Sequence, residues 1–382
     1  MDKTRRKRIL IAAGEASGDL HASCLVKAML ELEPNLQFYG MGGEKLREAG
    51  VHIIFDISNL SVMGITEVIR HLGHLYHVFK WLEKSLKNDR PDLIILIDYP
   101  DFNLRLAKVA KGYNVPVLYY ISPQIWAWRT NRIKKIGKLI DKMIVVFPFE
   151  LSLYEKEGID VSFVGHPLLD IVKVNKSKEE NIKRFGLDEQ KTTIGLLPGS
   201  RLSEVKRLLP PMVGAAQQLS ERFGNLQFIL PIAPGLKKEE IVKLTENSKV
   251  AITVVDNNIY EVIDISYLLI VASGTATLET AFLSTPMVII YKMSPLSYLI
   301  GRKLVKVPYI GMANIIAGKK VVPELIQDEA TAERLTSEVT HMLKDSLYHQ
   351  SICEELTFIK KKLGDPGASK RAAQIALEML QH

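Results

Sequence analysis

Two short runs in the second half of the chain hold residue types suited to gripping a diphosphate. The first is Pro198-Gly199-Ser200-Arg201 with Glu204, which follows the apolar run Thr193–Leu197. Gly199 permits close backbone approach, Ser200 is a candidate helix cap, and Arg201 offers a planar fork that matches phosphate oxygens. The second is Ser273-Gly274-Thr275-Ala276-Thr277, set after the apolar run Tyr267–Ala272 and followed by Glu279. A strand that turns through small, hydroxylated residues into a helix leaves backbone N–H groups unpaired at the positive end of the helix dipole. Glu279, about one turn further on, is placed to accept hydrogen bonds from ribose hydroxyls. Either run alone also reads as an ordinary helix cap. Together they make a sugar nucleoside diphosphate the natural ligand. Neither run contains Gly-x-x-x-x-Gly-Lys-[Ser/Thr], and no Gly-x-Gly-x-x-Gly follows a strand. That disfavours a nucleoside triphosphatase and a nicotinamide cofactor.

The first half carries carboxylates instead. Gly14-Glu15-Ala16-Ser17-Gly18-Asp19 occupies the first strand-to-helix turn. Two carboxylates there would oppose a pyrophosphate, so Glu15, Ser17, Gly18 and Asp19 are expected to face sugar hydroxyls. Ser17 or Asp19 as a helix N-cap is the plainer alternative. Asp98 ends the run Leu93–Ile97 and precedes Tyr99-Pro100-Asp101-Phe102-Asn103. Pro100 fixes that turn, and the Asp98 carboxylate would project into a cleft between domains. There it could take the proton of an incoming hydroxyl, a role typically worth roughly 10²–10⁴-fold. Asp101 reads as a helix cap. In Ser122–Arg129, Trp128 and Arg129 could hold a sugar face and a phosphate, while Trp126 suits buried packing equally well.

These turns must be held by strands alternating with helices. Arg8–Ala13, Leu36–Tyr39, Leu93–Ile97, Val115–Tyr120 and Met143–Phe147 read as strands, with a helix over Asp19–Leu32. A second series follows: Thr193–Leu197, Gln227–Pro231, Ala251–Val255, Leu268–Ala272 and Met287–Tyr291. Repeated βα units predict an α/β protein of two doubly wound, Rossmann-like domains, with ligands at the carboxyl ends of the strands. The reading places one domain at 1–172, a second at 173–345 and C-terminal helices at 346–382, which could cross back to the first. The polar stretch Lys173–Lys183 reads as the linker.

The chain has 382 residues, 47% hydrophobic and 24% charged, which is ordinary for a soluble two-domain protein. Its two cysteines, Cys24 and Cys353, make no metal or redox spacing. Neither a cleavable signal peptide nor a membrane span is expected. A net charge of +7 points to an anionic partner. From Ile65, the apolar residues Val68, Ile69, Leu72, Leu75 and Tyr76 follow helical spacing among Arg70, His71, His74 and His77. Such a stripe suits docking on anionic lipid, helped by Arg132, Lys134, Lys135, Lys138 and Lys142, although basic runs are also commonly just solvated faces. Its continuation through Phe79, Leu82 and Leu86 reads as the buried face of a cross-over helix. The basic residues do not alternate with exposed aromatics, which argues against a nucleic-acid partner.

At these residues the chain resembles the lipid-A-disaccharide synthase family, glycosyltransferase family 19. The resemblance runs through Gly14–Asp19, Gly40–Gly43, Val62-Met63-Gly64, Pro100–Asn103, Ser122–Arg129, Gly165-His166-Pro167, Leu196–Arg201, Ser273–Glu279 and Pro286-Met287-Val288. It implies a glycosyltransferase-B fold, with a UDP-sugar on the second domain and the acceptor on the first. The reaction implied joins UDP-2,3-diacylglucosamine to 2,3-diacylglucosamine 1-phosphate, giving the β-1,6-linked disaccharide 1-phosphate and UDP with inversion. Asp98 would be the base, Arg201 and the turn at Ser273–Thr277 would offset charge on the departing UDP, and Glu279 would hold the ribose. Asn314, in Gly311-Met312-Ala313-Asn314, matches a family position near the cleft. The resemblance calls for no cofactor or metal, in keeping with the absence of an Asp-x-Asp motif. It places the protein in the cytoplasm, peripheral on the inner membrane's cytoplasmic face, and leaves a homo-oligomer open. A UDP-N-acetylglucosamine 2-epimerase on the same fold is the alternative enzyme, and an RNA-binding protein the alternative of another class.

Overall fold

The computed structural model describes residues 5–57, 65–125, 132–246, 248–294, 298 and 307–381, with the side chains of 65–75 outside that description. The chain divides into two compact units, Met1–Asp170 with Leu363–His382, and Ile171–Lys362.

Among the described residues, the first unit builds one seven-stranded sheet from β1 (Arg8–Ala13), β2 (Gln37–Gly42), β3 (His52–Asp56), β4 (Leu93–Ile97), β5 (Val117–Tyr120), β6 (Lys142–Val145) and β7 (Val161–Phe163). Every pairing is parallel, in the order β3-β2-β1-β4-β5-β6-β7. Parallel strands need cross-over helices, which cover both faces, so the central strands are apolar at successive positions instead of alternating. Ile9–Ala13 and Leu93–Ile97 are accordingly buried at every residue. The helices Ala16–Leu32 and Pro100–Gly112 follow β1 and β4. The helix Ile65–Asn88 buries Leu82 and Leu86, packs Val78 and Phe79 on the core, and leaves Tyr76 and Trp81 exposed.

The second unit repeats the plan with β8 (Thr192–Leu197), β9 (Leu226–Ile232), β10 (Ile252–Asp256), β11 (Leu268–Ala272), β12 (Met287–Tyr291) and β13 (Glu324–Ile326), in the parallel order β10-β9-β8-β11-β12-β13. Each sheet winds in one direction and then the other. The reversal falls between β1 and β4 in the first unit and between β8 and β11 in the second.

Two stretches depart from the sequence reading. Part of the polar run at 173–183 is not a linker: Lys178–Arg184 is a helix opened by a capping box, with the Ser177 hydroxyl accepting from the Glu180 N–H and the Glu180 carboxylate accepting from the Ser177 N–H. Its Ile182, with Phe185 and Leu187 beyond it, packs on Ile229, Val262 and Ile265 in the second unit. At the other end, the helix Ser346–Lys362 belongs to the second unit, and the chain rejoins the first only at Leu363. The helix Ala368–Met379 then buries Ala372, Ala373 and Ala376 against the helix Ala16–Leu32.

Candidate active site

In doubly wound sheets, loops at the point where strand order reverses splay apart and open a crevice at the carboxyl ends of the strands. Four of the five turns singled out in the sequence lie at such points; Ser122–Arg129 follows β5 instead. Gly14-Glu15 follows β1 and Asp98-Tyr99 follows β4; Gly199–Arg201 follows β8 and Ser273-Gly274 follows β11.

In the first unit, Asp98 and Tyr99 are consecutive left-handed residues, with φ of 50° and 46°. Each conformation costs a residue with a side chain about 1–2 kcal/mol. The turn re-aims the chain before Pro100 opens the helix Pro100–Gly112. Gly14 makes room for it: a Cβ there would lie 2.3 Å from the Tyr99 ring. Gly18 sits over Asp98, where an added Cβ would be 3.9 Å from the Asp98 Cβ. Asp98 is half-buried, and burial followed by the nearby Glu15 charge pushes its carboxyl up to about 6. Such a carboxylate is ionised at neutral pH yet basic enough to accept a proton.

Other first-unit residues are placed differently from expectation. Asp19 is buried and its oxygens accept from the N–H groups of Gly43, at 2.6 Å, and of Lys45 and Leu46. It braces the start of the helix Glu44–Glu48, which accounts for its carboxylate without a sugar. The helix Ala16–Leu32 takes Glu15 as its N-cap residue, without a side-chain cap from either Ser17 or Asp19. Glu15 is exposed and Ser17 partly so, beside the Asp98 turn. Asp101 stands in the first turn of its helix without capping it, and pairs with Arg132 at 2.8 Å. Trp128 and Arg129 lie outside the described residues, as do the side chains of Val68, Ile69, Leu72 and Leu75; the Tyr76 side chain is 59% exposed.

In the second unit, Gly199 has a φ of 113°, and a Cβ there would meet Glu204 Oε2 at 2.8 Å and the Ala272 Cβ at 3.7 Å. Glycine suits this position because the left-handed backbone would strain any other residue, and a side chain would press on Glu204. Arg201, not Ser200, is the N-cap residue of the helix Leu202–Arg222, so Ser200 stays exposed without capping. The Arg201 guanidinium is 76% exposed and touches Glu204 Oε1 at 3.4 Å. An arginine held so loosely is free to turn onto an anion. Gly274 is the N-cap residue of the helix Thr275–Phe282, and the Thr277 hydroxyl donates back to the Gly274 carbonyl at 2.8 Å. Gly274 and Thr275 are exposed and Ala276 partly so, which leaves this helix tip open to a ligand. The Glu279 carboxyl is raised by burial and accepts from the Tyr260 hydroxyl at 3.2 Å.

Asn314 does not join this group. It is fully buried; its amide donates to the Val322 carbonyl and Glu324 Oε1, and its oxygen accepts from the Val321 and Val322 N–H groups. Every hydrogen-bonding position is filled, so the residue is a clasp and not a ligand contact. Glu324 completes it by accepting from the Ile310 and Gly311 N–H groups, and Ser273 donates to the Ile310 carbonyl. Tyr260 and Glu324 escape sequence reading because neither lies in a turn with a recognisable pattern; only the fold brings them to Glu279 and Asn314. Among the described residues there is no cluster of three or more side chains suited to a metal ion, and no helix long and apolar enough to cross a membrane.

Comparison with known proteins agrees with this fold. A UDP-GlcNAc 2-epimerase from Neisseria meningitidis, solved with UDP-GlcNAc, superposes with a TM-score of 0.66 over 98% of this chain and 100% of its own, at 12% identity. The glycotransferase of kitacinnamycin superposes with a TM-score of 0.63 over 98% of this chain and 99% of its own, at 14% identity. Likenesses at such identities are of fold, and they place the two doubly wound units in the glycosyltransferase-B class. Closer in sequence, the lipid-A-disaccharide synthase of Geobacter sulfurreducens is 49% identical over 380 residues, spanning 100% of this chain and 99% of its own. The family model described as lipid-A-disaccharide synthetase matches residues 9–379. The chain belongs to the lipid-A-disaccharide synthetase family.

Proposed function

We propose that this chain is a hexosyltransferase that joins UDP-2,3-diacylglucosamine to 2,3-diacylglucosamine 1-phosphate, forming the β-1,6-linked disaccharide 1-phosphate and releasing UDP. The observation that carries this reading is the family match from residue 9 to 379. The chemistry of the turns supports it. Asp98 takes the proton of the acceptor 6-hydroxyl as that oxygen attacks the anomeric carbon from the face opposite UDP. One displacement inverts the α-linked donor to a β product, so one base and a stabilised leaving group suffice. Arg201 and the amides at the tip of the helix Thr275–Phe282 offset negative charge building on the diphosphate. Glu279 holds the ribose.

The acyl chains of both substrates give the apolar positions Val68, Ile69, Leu72, Leu75 and Tyr76 a role, docking the protein on an anionic membrane surface. The exposure of Tyr76 supports this. Serine at Val68, Ile69 and Leu72 together is expected to move the protein from membrane to soluble fractions; unchanged fractionation would count against docking.

Mass-spectrometric turnover with acylated and deacylated UDP-glucosamine donors tests the reaction itself. Asp98→Ala is expected to lower kcat by about 10²–10⁴-fold while UDP affinity is kept. Turnover of UDP-N-acetylglucosamine alone, without an acceptor, would move the assignment to an epimerase.

A further inference from the structure

The Asp98 turn is held by two buried side chains that no binding or proton-transfer role accounts for. The Asn103 amide nitrogen lies 2.7 Å from the Asp98 carbonyl, 3.1 Å from that of Ile97 and 3.3 Å from that of Ala12. Ala12 and Ile97 stand at the carboxyl ends of β1 and β4, the two strands that flank the reversal of strand order. One amide thus ties both strand ends together and grips the residue between them and the helix. From the β5 side, the Tyr119 hydroxyl donates to the same Asp98 carbonyl at 2.6 Å. Asn103 and Tyr119 are both fully buried, so neither can reach a sugar directly.

Two consecutive left-handed residues with side chains need such a constraint, since an unrestrained strand end relaxes to extended backbone. Relaxation would swing the Asp98 carboxylate away from the crevice. We propose that Asn103 is a positioning residue for Asp98, holding by its amide the left-handed turn that aims the carboxylate, with Tyr119 as a second grip on the same carbonyl. This rests on the reading of Asp98 as base. A base displaced by about 1 Å loses on the order of 10²-fold in rate, because reactivity falls steeply once the reacting atoms leave near-attack geometry.

The test uses the full chain with Asn103→Ala, Tyr119→Phe and Asp98→Ala, each measured for kcat, donor KM, UDP binding and the pH dependence of kcat/KM. Asn103→Ala is expected to lower kcat by about 10²-fold, with donor KM and UDP affinity kept. The acid limb of its residual activity should fall from near pH 6 toward the ordinary carboxylate range as water reaches the loosened turn. Tyr119→Phe, which removes one oxygen and preserves packing, should show the same pattern at about tenfold; it keeps the test informative should Asn103→Ala fail to fold. A dead Asp98→Ala beside Asn103 and Tyr119 variants of normal kcat would overturn the positioning role alone. So would a loss of kcat with the acid limb unmoved, which marks general structural damage. An active Asp98→Ala would instead remove the base, and the positioning role with it.

Discussion

Burial and the neighbouring Glu15 charge both disfavour an ionised Asp98, and this has consequences for activity and for stability. Its folded pKa is about 6, against an ordinary aspartate value near 3.8. As the base, it must be ionised, so kcat/KM is expected to fall about tenfold per pH unit below pH 6. Stability runs the other way: a raised folded pKa contributes stability that is complete below the unfolded value and lost as pH rises through 6. Asp98→Asn should therefore raise Tm by about 3–6 °C at pH 7.5, allowing for its partial exposure to solvent, and leave it nearly unchanged at pH 3. His21 has the opposite sign, because burial holds its folded pKa down at about 4. Its contribution is complete above the unfolded value near 6.5 and lost as pH falls through 4. Thermal unfolding of wild type, Asp98→Asn and His21→Gln across pH 3–8 checks both. An Asp98→Asn variant less stable than wild type at pH 7.5 would mean that Asp98 is satisfied where it sits.

Among the elements, those that carry the site are the ones most legible in sequence. β1, β4, β11 and β12 coincide with runs of apolar residues, because a central parallel strand covered on both faces can afford no polar position. The edge strands β3, β7 and β13 are not legible: His52–Asp56, Val161–Phe163 and Glu324–Ile326 are short, mixed in polarity and half-buried. The helix Lys178–Arg184 reads as linker because its polar face dominates, although Ser177-x-x-Glu180 is a capping box in plain view. Turn residues such as Arg201, Gly274 and Glu279 are legible from their spacing after a strand. Asn314 is offered only by the family resemblance and Asp19 by its place in the first turn, and their hydrogen bonds show both bracing backbone. The two turns of the second unit give a sharper expectation. If Glu279 holds the ribose, Tyr260→Phe frees its carboxylate and should weaken UDP binding about fivefold, and Glu279→Ala by more. Arg201→Ala should weaken UDP about tenfold or more through the phosphates. Calorimetric titration with 2′,3′-dideoxy-UDP, which lacks both ribose hydroxyls, separates the roles: it should be insensitive to Glu279→Ala and still sensitive to Arg201→Ala. Equal losses for both nucleotides would move Glu279 off the ribose.

For the molecule as a whole, the return of the chain after Lys362 makes the first unit depend on residues that lie beyond the second unit in sequence. Arg371 donates to the carbonyls of Val164, Asp365 and Pro366, and Asp170 accepts from the N–H groups of Gly367 and Ser369. The turn between the helices runs through Gly364 and Gly367, both at positive φ, and a Cβ on Gly364 would come within 3.1 Å of the Gly165 Cα. This close packing joins Gly165-His166-Pro167 to the C-terminal segment, with the His166 N–H donating to the Leu363 carbonyl. Arg371→Ala removes three hydrogen bonds from a charged donor that is partly open to water, a loss of about 2 kcal/mol. That should lower the Tm of the first unit by about 4–8 °C. The proposed UDP site uses only second-unit residues, so UDP should protect that unit equally in wild type and variant. Calorimetric scans with and without UDP should then show one transition moving with the substitution and the UDP-responsive transition staying in place. If one transition carries both shifts, the units unfold together and the C-terminal return stabilises the whole chain, not one half of it.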